Sequence, residues 1–442
     1  MAAVNPLELG ILVTVVTVAV LMTGAPVAFS LGIVAIGFLL AVDGMGALSI
    51  IPNIFYGGLD DFALLSIPMF ILMGGAIASS RAGPDLYEAL DRWLYRVPGG
   101  LMVSNIGACA IFAALSGSSP ATCAAIGKMG IPEMRKRGYP ASVATGSIAA
   151  GGTLGILIPP SVTMIVYGIA TETSIGRLFI AGLLPGVMLT GLFIAWGLFA
   201  AWRKGYRFAA AEGVSYSLRQ HLAVLPRVGP FLVIIGGILW VLYGGVATPS
   251  EAAGVGALFC IILVAVIYRM YQPVALWRVL RAAMGESAMI MMIIAAAALF
   301  SYMMSSLFIT QSLAMWIGEL EVNRWVLMGY INVFLLVAGF FLPPVAVILM
   351  TAPTLLPMIE AVGFDPIWFA VVLTINMEIG LITPPVGLNL YVINGIAPDV
   401  RLQTILWGAL PFMACMVLGI VLLCFFPQIA MWLPNAMMGR AL

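Results

Sequence analysis

The sequence predicts an all-α polytopic membrane protein, an inverted repeat in which each half carries a re-entrant helical hairpin and a broken helix. Three observations predict it. The first is composition: of 442 residues, 63% are hydrophobic and 8% charged, too apolar for a soluble globular chain. The apolar runs are about 20 residues long and do not alternate with period two, which favours helices over a barrel. The second is charge placement: if two long interrupted stretches, 99–134 and 324–361, are hairpins that enter and leave on one side, the Lys and Arg residues sort by face. Only Arg177, Arg324 and Arg440 then lie on one side and Lys128 inside the first hairpin, and the rest of the 19 basic residues share the other, which marks that side as cytoplasmic. The third is internal repetition. "GILIPPSVTMIVYGIA" (155–170) echoes "GLITPPVGLNLYVINGIA" (380–397), and "RGYPA" (137–141) echoes "VGFDPIW" (362–368), both at an offset near 225.

Taken in order, spans are expected at 7–23, 25–42 and 62–79, the first with no basic residue before it and so read as retained rather than cleaved. In "GPDLYEALDRWLYRVPGG" (83–100), Leu86, Leu90, Trp93, Leu94 and Val97 share an apolar face between Pro84 and Pro98, which predicts an interfacial arm helix over 83–97. The first hairpin follows (99–134, tip "SGSSP" at 116–120), then a helix over 141–168 broken at Pro159-Pro160, then a span at 178–200. A polar connecting loop, 206–228, joins the first repeat (1–205) to the second (229–442). The second repeat has spans at 229–247, 250–268 and 286–308, the start of the second being marked by "TPSE" (248–251), a capping box with proline in the first turn. An arm over 310–321, a hairpin over 324–361 with its tip in "AGFFLPP", a broken helix over 366–393 and a span at 402–427 complete it. The odd number of crossings per half inverts the second repeat and places both termini outside the cytoplasm.

The five cysteines, Cys109, Cys123, Cys260, Cys415 and Cys424, lie in apolar runs at irregular spacing, which speaks for packing and against disulfides or a transition-metal site. His221, the only histidine, sits in the polar loop and reads as a surface residue.

Inverted repeats with broken helices are the mark of a secondary transporter, with its site between the halves. A proline pair inside a span removes backbone donors and leaves carbonyls without partners. Such carbonyls need a cation, a hydroxyl or water. Ser116, Gly117, Ser118, Ser119 and Thr122 at the first tip, with Gly151, Gly152, Gly155 and Pro159 on the first broken helix, fit an oxygen cage. Gly339, Gly380, Thr383, Pro384, Gly387 and Asn389 hold the matching places in the second half. Hard uncharged oxygens suit sodium and not a transition metal; helix packing by small residues is the competing reading. Two charges fall inside the expected hydrocarbon. Glu378 is either functional or a brace that accepts backbone bonds at the break, and Lys128 either extends its head to water or meets an anion.

The segments "LSGSSPATCAAIGKMGIPEMRKRGY", "AAGGTLGILIPPSVTMIVYGIATETSIGRLFIAGLLPG" and "NMEIGLITPPVGLNLYV" resemble the large membrane subunit of tripartite ATP-independent periplasmic (TRAP) transporters, and the resemblance runs essentially end to end. It implies an ion-transporter superfold of elevator type and sodium-driven uptake of an organic anion, a carboxylate or sialic acid, across a bacterial inner membrane. Carried over by motif, Ser116 to Ser119 with Gly151 to Pro160 would hold one sodium, and Gly339 with Gly380 to Pro385 another. Thr153, Ser161, Asn376 and Asn389 would face the same region as substrate ligands. The resemblance further implies a soluble periplasmic substrate-binding protein and a small membrane subunit of about four spans, here a separate chain because no extra N-terminal spans occur. Sodium is the coupling ion, and no cofactor is expected. The family usually has an apolar residue where this chain has Pro120, and alanine where it has Cys123.

Two rival readings differ in class. A self-sufficient sodium and dicarboxylate symporter of the same superfold would carry Ser-Asn-Thr motifs at its hairpins, and this chain has none. An intramembrane enzyme using Ser118 or Ser119 would have only Lys128 as base. A primary pump would carry a G-x-x-x-x-G-K-[ST] phosphate loop, which is absent.

Overall fold

The computed structural model of the chain describes residues 5–94, 100–203, 217, 219, 223–270, 272–319 and 323–439. His221, most of the connecting loop and the arm ends at 95–97 and 320–321 lie outside the described residues. The described residues form α-helices and short 3-10 turns with no strand.

In the first half the helices are α1 (Pro6–Met22), α2 (Val27–Asp43), α3 (Ile51–Leu59), α4 (Ser66–Ala78), α5 (Ala82–Leu94), α6 (Gly100–Ser116), α7 (Ser119–Lys136), α8 (Ala141–Thr153), α9 (Val162–Ala170) and α10 (Ile175–Arg203). The second half repeats the order with α11 (Leu225–Tyr243), α12 (Pro249–Tyr268), α13 (Pro273–Ser306), α14 (Ile309–Glu319), α15 (Arg324–Phe341), α16 (Pro344–Ala361), α17 (Pro366–Leu381), α18 (Leu388–Ile396) and α19 (Leu402–Phe425), and α20 (Gln428–Met438) follows. The register between halves is tight where it matters: α7 starts at 119 and α16 at 344, α8 at 141 and α17 at 366, the same offset of 225 in both cases.

Local chemistry explains the starts. Asn5 caps α1 with Pro6 in the first turn, Asp365 caps α17 ahead of Pro366, and Thr248 with Glu251 closes the expected capping box on α12, each answering amide donors that a helix start leaves open. The two hairpins turn where expected. In the first, α6 ends at Ser116 and α7 begins at Ser119; in the second, α15 ends at Phe341 and α16 begins at Pro344. Pro120 falls in the first turn of α7, the one place in a helix where its missing N–H costs nothing, so the departure from the family pattern there leaves the helix start intact.

Seven helices among the described residues are long and apolar enough to cross a membrane, and α15 and α16 are two of them. Length alone therefore does not separate a hairpin arm from a span. Packing does: the tips are driven against the breaks of the two central helices. Those helices, α8 and α17, lie at the core, and every residue of α17 from Ile367 to Leu381 is buried, the pattern of a helix surrounded by protein on all sides. Behind α8, Gly146 meets Gly408 of α19 backbone to backbone, a close approach that only small residues permit.

The first half differs from the second in one element. Where α13 runs unbroken for 34 residues, its counterpart is split into the Gly44–Leu59 segment and the Phe62–Ala78 segment, bent by 59°, with the Asp61 side chain accepting from the Ala63 amide at the corner. The expected span at 286–308 is thus extended by more than three turns at its start, and Arg278 and Arg281 stand on a helix rather than in a loop.

Arm helix α5 also departs from expectation. Leu86 is buried as expected, but Trp93 is exposed, while Asp85 and Asp91 are buried. Asp91 accepts from Arg137 at 3.0 and 3.4 Å, and Asp85 lies 3.8 Å from Arg227 of α11. Burial pushes the Asp91 carboxyl above its usual range, against the pull of Arg137. The arm is therefore bolted to the base of the first hairpin by its acidic face. Its partners lie far away in sequence.

Candidate functional site

Each broken helix is met by the tip of its own hairpin. In the first half α8 gives way to a 3-10 turn at Leu154–Ile156, and the chain then passes Pro159-Pro160 before α9 begins. The carbonyls of Leu157 to Pro160 accept no backbone hydrogen bond among the described residues, and the Ile156 carbonyl, which the missing Pro160 N–H leaves free, accepts from Ser161 Oγ. The tip lies on this segment. Gly117 takes φ +58°, open to glycine at little cost, and a Cβ there would lie 2.7 Å from the Pro160 oxygen. A Cβ on Gly155 would lie 2.6 Å from the Ser118 oxygen, and one on Gly152 would collide with Cys123 Sγ. Cys123 in turn donates to the Ile148 and Ala149 carbonyls. Gly152 and Gly155 are required by approach distance alone, Gly117 by both approach distance and its left-handed backbone.

The tip hydroxyls are engaged. Ser116 Oγ and Thr122 Oγ1 are 2.8 Å apart, and Thr122 Oγ1 donates to the Ser118 carbonyl at 2.9 Å. Ser119 Oγ pairs with Asn389 of α18: Asn389 Nδ2 donates to it at 2.8 Å and to the Ala149 carbonyl at 3.1 Å. A single amide thus joins the first tip, the first broken helix and the second repeat.

The second half repeats the plan with different chemistry. Gly380 stands against Gly339, where a Cβ would lie 2.7 Å from the Gly339 carbonyl carbon, and the Val386 amide donates to the Phe340 carbonyl at 3.1 Å. Thr383 Oγ1 donates to Ile379 at 2.6 Å. Both proline pairs, Pro159-Pro160 and Pro384-Pro385, are cis. Their exposure differs: residues 151–160 are all buried, whereas Pro384, Pro385 and Val386 are exposed.

Both tips line one cavity of about 880 Å³. Ser116 to Ala121 form one wall, Pro343, Pro344 and Val345 another, and Thr163 of α9 contributes a hydroxyl. The remaining wall is α13, from Ala275 to Ile293. Pro26 before α2, Ser79 after α4 and Met270 between α12 and α13 also line it, helix ends that the charge count assigns to the arginine-rich face.

The four residues expected to meet substrate do not reach this cavity. Thr153 donates to Ala150 at 2.7 Å, Ser161 donates to Ile156 at 2.6 Å and caps α9, Asn376 donates to Asn332 and Val372, and Asn389 is committed as described. All four are fully buried and act as internal braces here. Thr163, two residues beyond Ser161, occupies the wall instead, and the alternation of facing within a helix is what separated them. Glu378 is fully buried with neither carboxyl oxygen hydrogen-bonded among the described residues, so it does not brace the break by accepting backbone bonds. Lys128 is exposed and outside the cavity lining, which agrees with its reaching toward water. Among the described residues no group of His, Cys, Asp and Glu could hold a metal ion.

Compared with known families, residues 14–429 match the model described as "Tripartite ATP-independent periplasmic transporter, DctM component". The chain belongs to the DctM family. DctM proteins are large permease subunits of TRAP transporters, not enzymes, and the apolar helices make this one a multi-pass membrane protein. It is 38% identical over 376 residues to the C4-dicarboxylate TRAP transporter large permease protein DctM of Pseudomonas aeruginosa, covering 85% of this chain and 87% of that one. The protein of the same description in Rhodobacter capsulatus is 34% identical, over 95% of this chain and 97% of its own. The crystal structure of the Alcanivorax borkumensis YdaH transporter superposes with a TM-score of 0.66 at 17% identity, covering 90% of this DctM chain and 91% of that one, a likeness of fold.

Proposed function

We propose that this DctM chain is the permease subunit of a sodium-coupled TRAP transporter that imports an organic anion, first among candidates a C4-dicarboxylate, across a bacterial inner membrane. One observation carries the reading: two backbone breaks, each covered by a hairpin tip, flank a single cavity into which both tips project. Oxygens freed from helix geometry beside an anion-sized space are what a symporter needs to bind cation and anion together. Ser116, Gly117, Ser118, Ser119, Gly152, Gly155 and Pro159 would surround the first sodium, with Gly339, Gly380, Thr383 and Pro384 at the second. The rule that basic residues face the cytoplasm would put the Arg278 end of the cavity on the cytoplasmic side, and cargo would be released there. Movement of the hairpins and broken helices as one body, an elevator, would carry the site to the other face. The substrate would arrive on a periplasmic binding protein, and a small membrane subunit, a separate chain, would complete the membrane complex.

Reconstitution of the permease with both partners in liposomes tests this. Succinate uptake should require sodium to be higher outside, and equal uptake in sodium-free medium would sink the proposal.

A further inference from the structure

We propose that Arg278 on α13 is the substrate's carboxylate contact on the arginine-rich side of the cavity, and that Glu286, two turns further along the same helix, disfavours the anion beside it. This rests on the transport reading above and adds the cavity's charge chemistry to it. Among the described residues that line the cavity only these two are charged. Neither has an ion-pair partner or a side-chain hydrogen bond among the described residues, and they are not paired to each other.

Position gives them different roles. At about 1.5 Å per residue, the 34 residues of α13 run for roughly 51 Å, well beyond a hydrocarbon core of about 30 Å. Arg278 lies in the second turn of α13, close in the chain to Met270, and both line the cavity; Glu286 lies about 12 Å further along the axis. Between them Ala282, Ala283 and Gly285 leave the wall without bulk. A guanidinium keeps its charge at any working pH and presents a fork matched to a carboxylate. An arginine with no acid paired to it among the described residues is the one positively charged side chain on the described lining of the cavity. A carboxylate further along the same wall repels the substrate anion, so the two charges favour its occupancy beside Arg278 over occupancy beside Glu286.

Purified permease complex in nanodiscs, titrated with succinate and separately with sodium, tests the assignment. Arg278→Gln should weaken succinate binding at least tenfold with sodium binding unchanged, and Arg278→Lys should recover part of the loss, since it restores charge without the fork. Glu286→Gln should tighten succinate binding severalfold, an effect of opposite sign that general damage to α13 does not produce. Unchanged succinate binding in Arg278→Gln, or equal weakening in both Gln variants, would overturn the proposal while leaving sodium-driven uptake untouched. Sodium-independent uptake alongside a loss in Arg278→Gln would overturn the coupling and keep the arginine. Absence of succinate binding to the unsubstituted complex would overturn the arginine assignment for dicarboxylates.

Discussion

Replacing Gly155 by alanine separates an ion cage from simple helix packing. The added Cβ would lie 2.6 Å from the Ser118 oxygen, 2.7 Å from its carbonyl carbon and 2.9 Å from the Ser119 nitrogen. All three are backbone atoms, so no side chain can swing aside. Restoring ordinary contact requires the first tip to retreat by about 0.8 Å from the break. Overpacking of this kind costs about 1–3 kcal/mol. If the ion binds only with the tip fully down, that cost falls on the ion-bound state and raises the half-saturating sodium concentration by about 5- to 150-fold. Gly237→Ala is the control, because nothing lies within 4 Å of its added carbon. The assay is sodium-dependent succinate uptake by the reconstituted complex, with thermal unfolding of each variant to show that it is folded. Identical sodium curves for Gly155→Ala and Gly237→Ala would refute the argument, since the tip would then have moved without consequence for the ion.

Other expectations concern the braces. Asn389→Ala removes the donor to both Ser119 and Ala149 and should cost about 1–3 kcal/mol of stability, with Ser119→Ala adding little on top of it; a double-mutant cycle with fully additive losses would count against the bond. Arg137→Ala leaves Asp91 buried without its partner, 10% exposed at the side chain, and should lower the unfolding temperature clearly more than Arg135→Ala, whose partner Asp399 is exposed. Arg135 holds the Asp399 carboxyl below the usual carboxylate range through a hydrogen bond. Any stability from that pair is fully present above about pH 4 and is lost as pH falls through the depressed value, so Arg135→Ala and the natural chain should converge in acid.

The plan of spans, hairpins and breaks was legible because its signals are local: proline pairs, small residues and the offset of 225 mark backbone events that no distant contact can undo. What the sequence hid depends on facing or on distance. Segment 44–59 carries Pro52 and the paired glycines Gly57 and Gly58, turn signals that mask a short helix between two spans. The early turns of α13 hold Arg278, Arg281 and Glu286, which lowered its apparent hydropathy and shortened the expected span. The family motifs point to Thr153, Ser161, Asn376 and Asn389 as polar residues near the breaks, yet a motif says nothing about which side of a helix faces a cavity; the structure turns all four inward and leaves Thr163 on the wall. The burial of Asp91 against Arg137 joins residues on separate helices, a pairing that no spacing rule contains.

The two halves are symmetric in order but not in chemistry, and the difference bears on how two ions would be handled. The first break is sealed: residues 151–160 are buried, the tip above them is rich in hydroxyls, and Asn389 ties that tip to the other repeat. Exchange of an ion there requires the tip to lift and that bond to break. At the second break Pro384 to Val386 are exposed and the tip is built from Phe340, Phe341, Leu342 and Pro343, with one backbone bond from Val386 to Phe340 holding it. The second tip is thus held by fewer polar contacts among the described residues than the first. Because Asn389 stands on α18, directly after the second break, the bond that ties down the first tip is anchored in the second repeat, and Asn389→Ala should loosen the first tip more than the second.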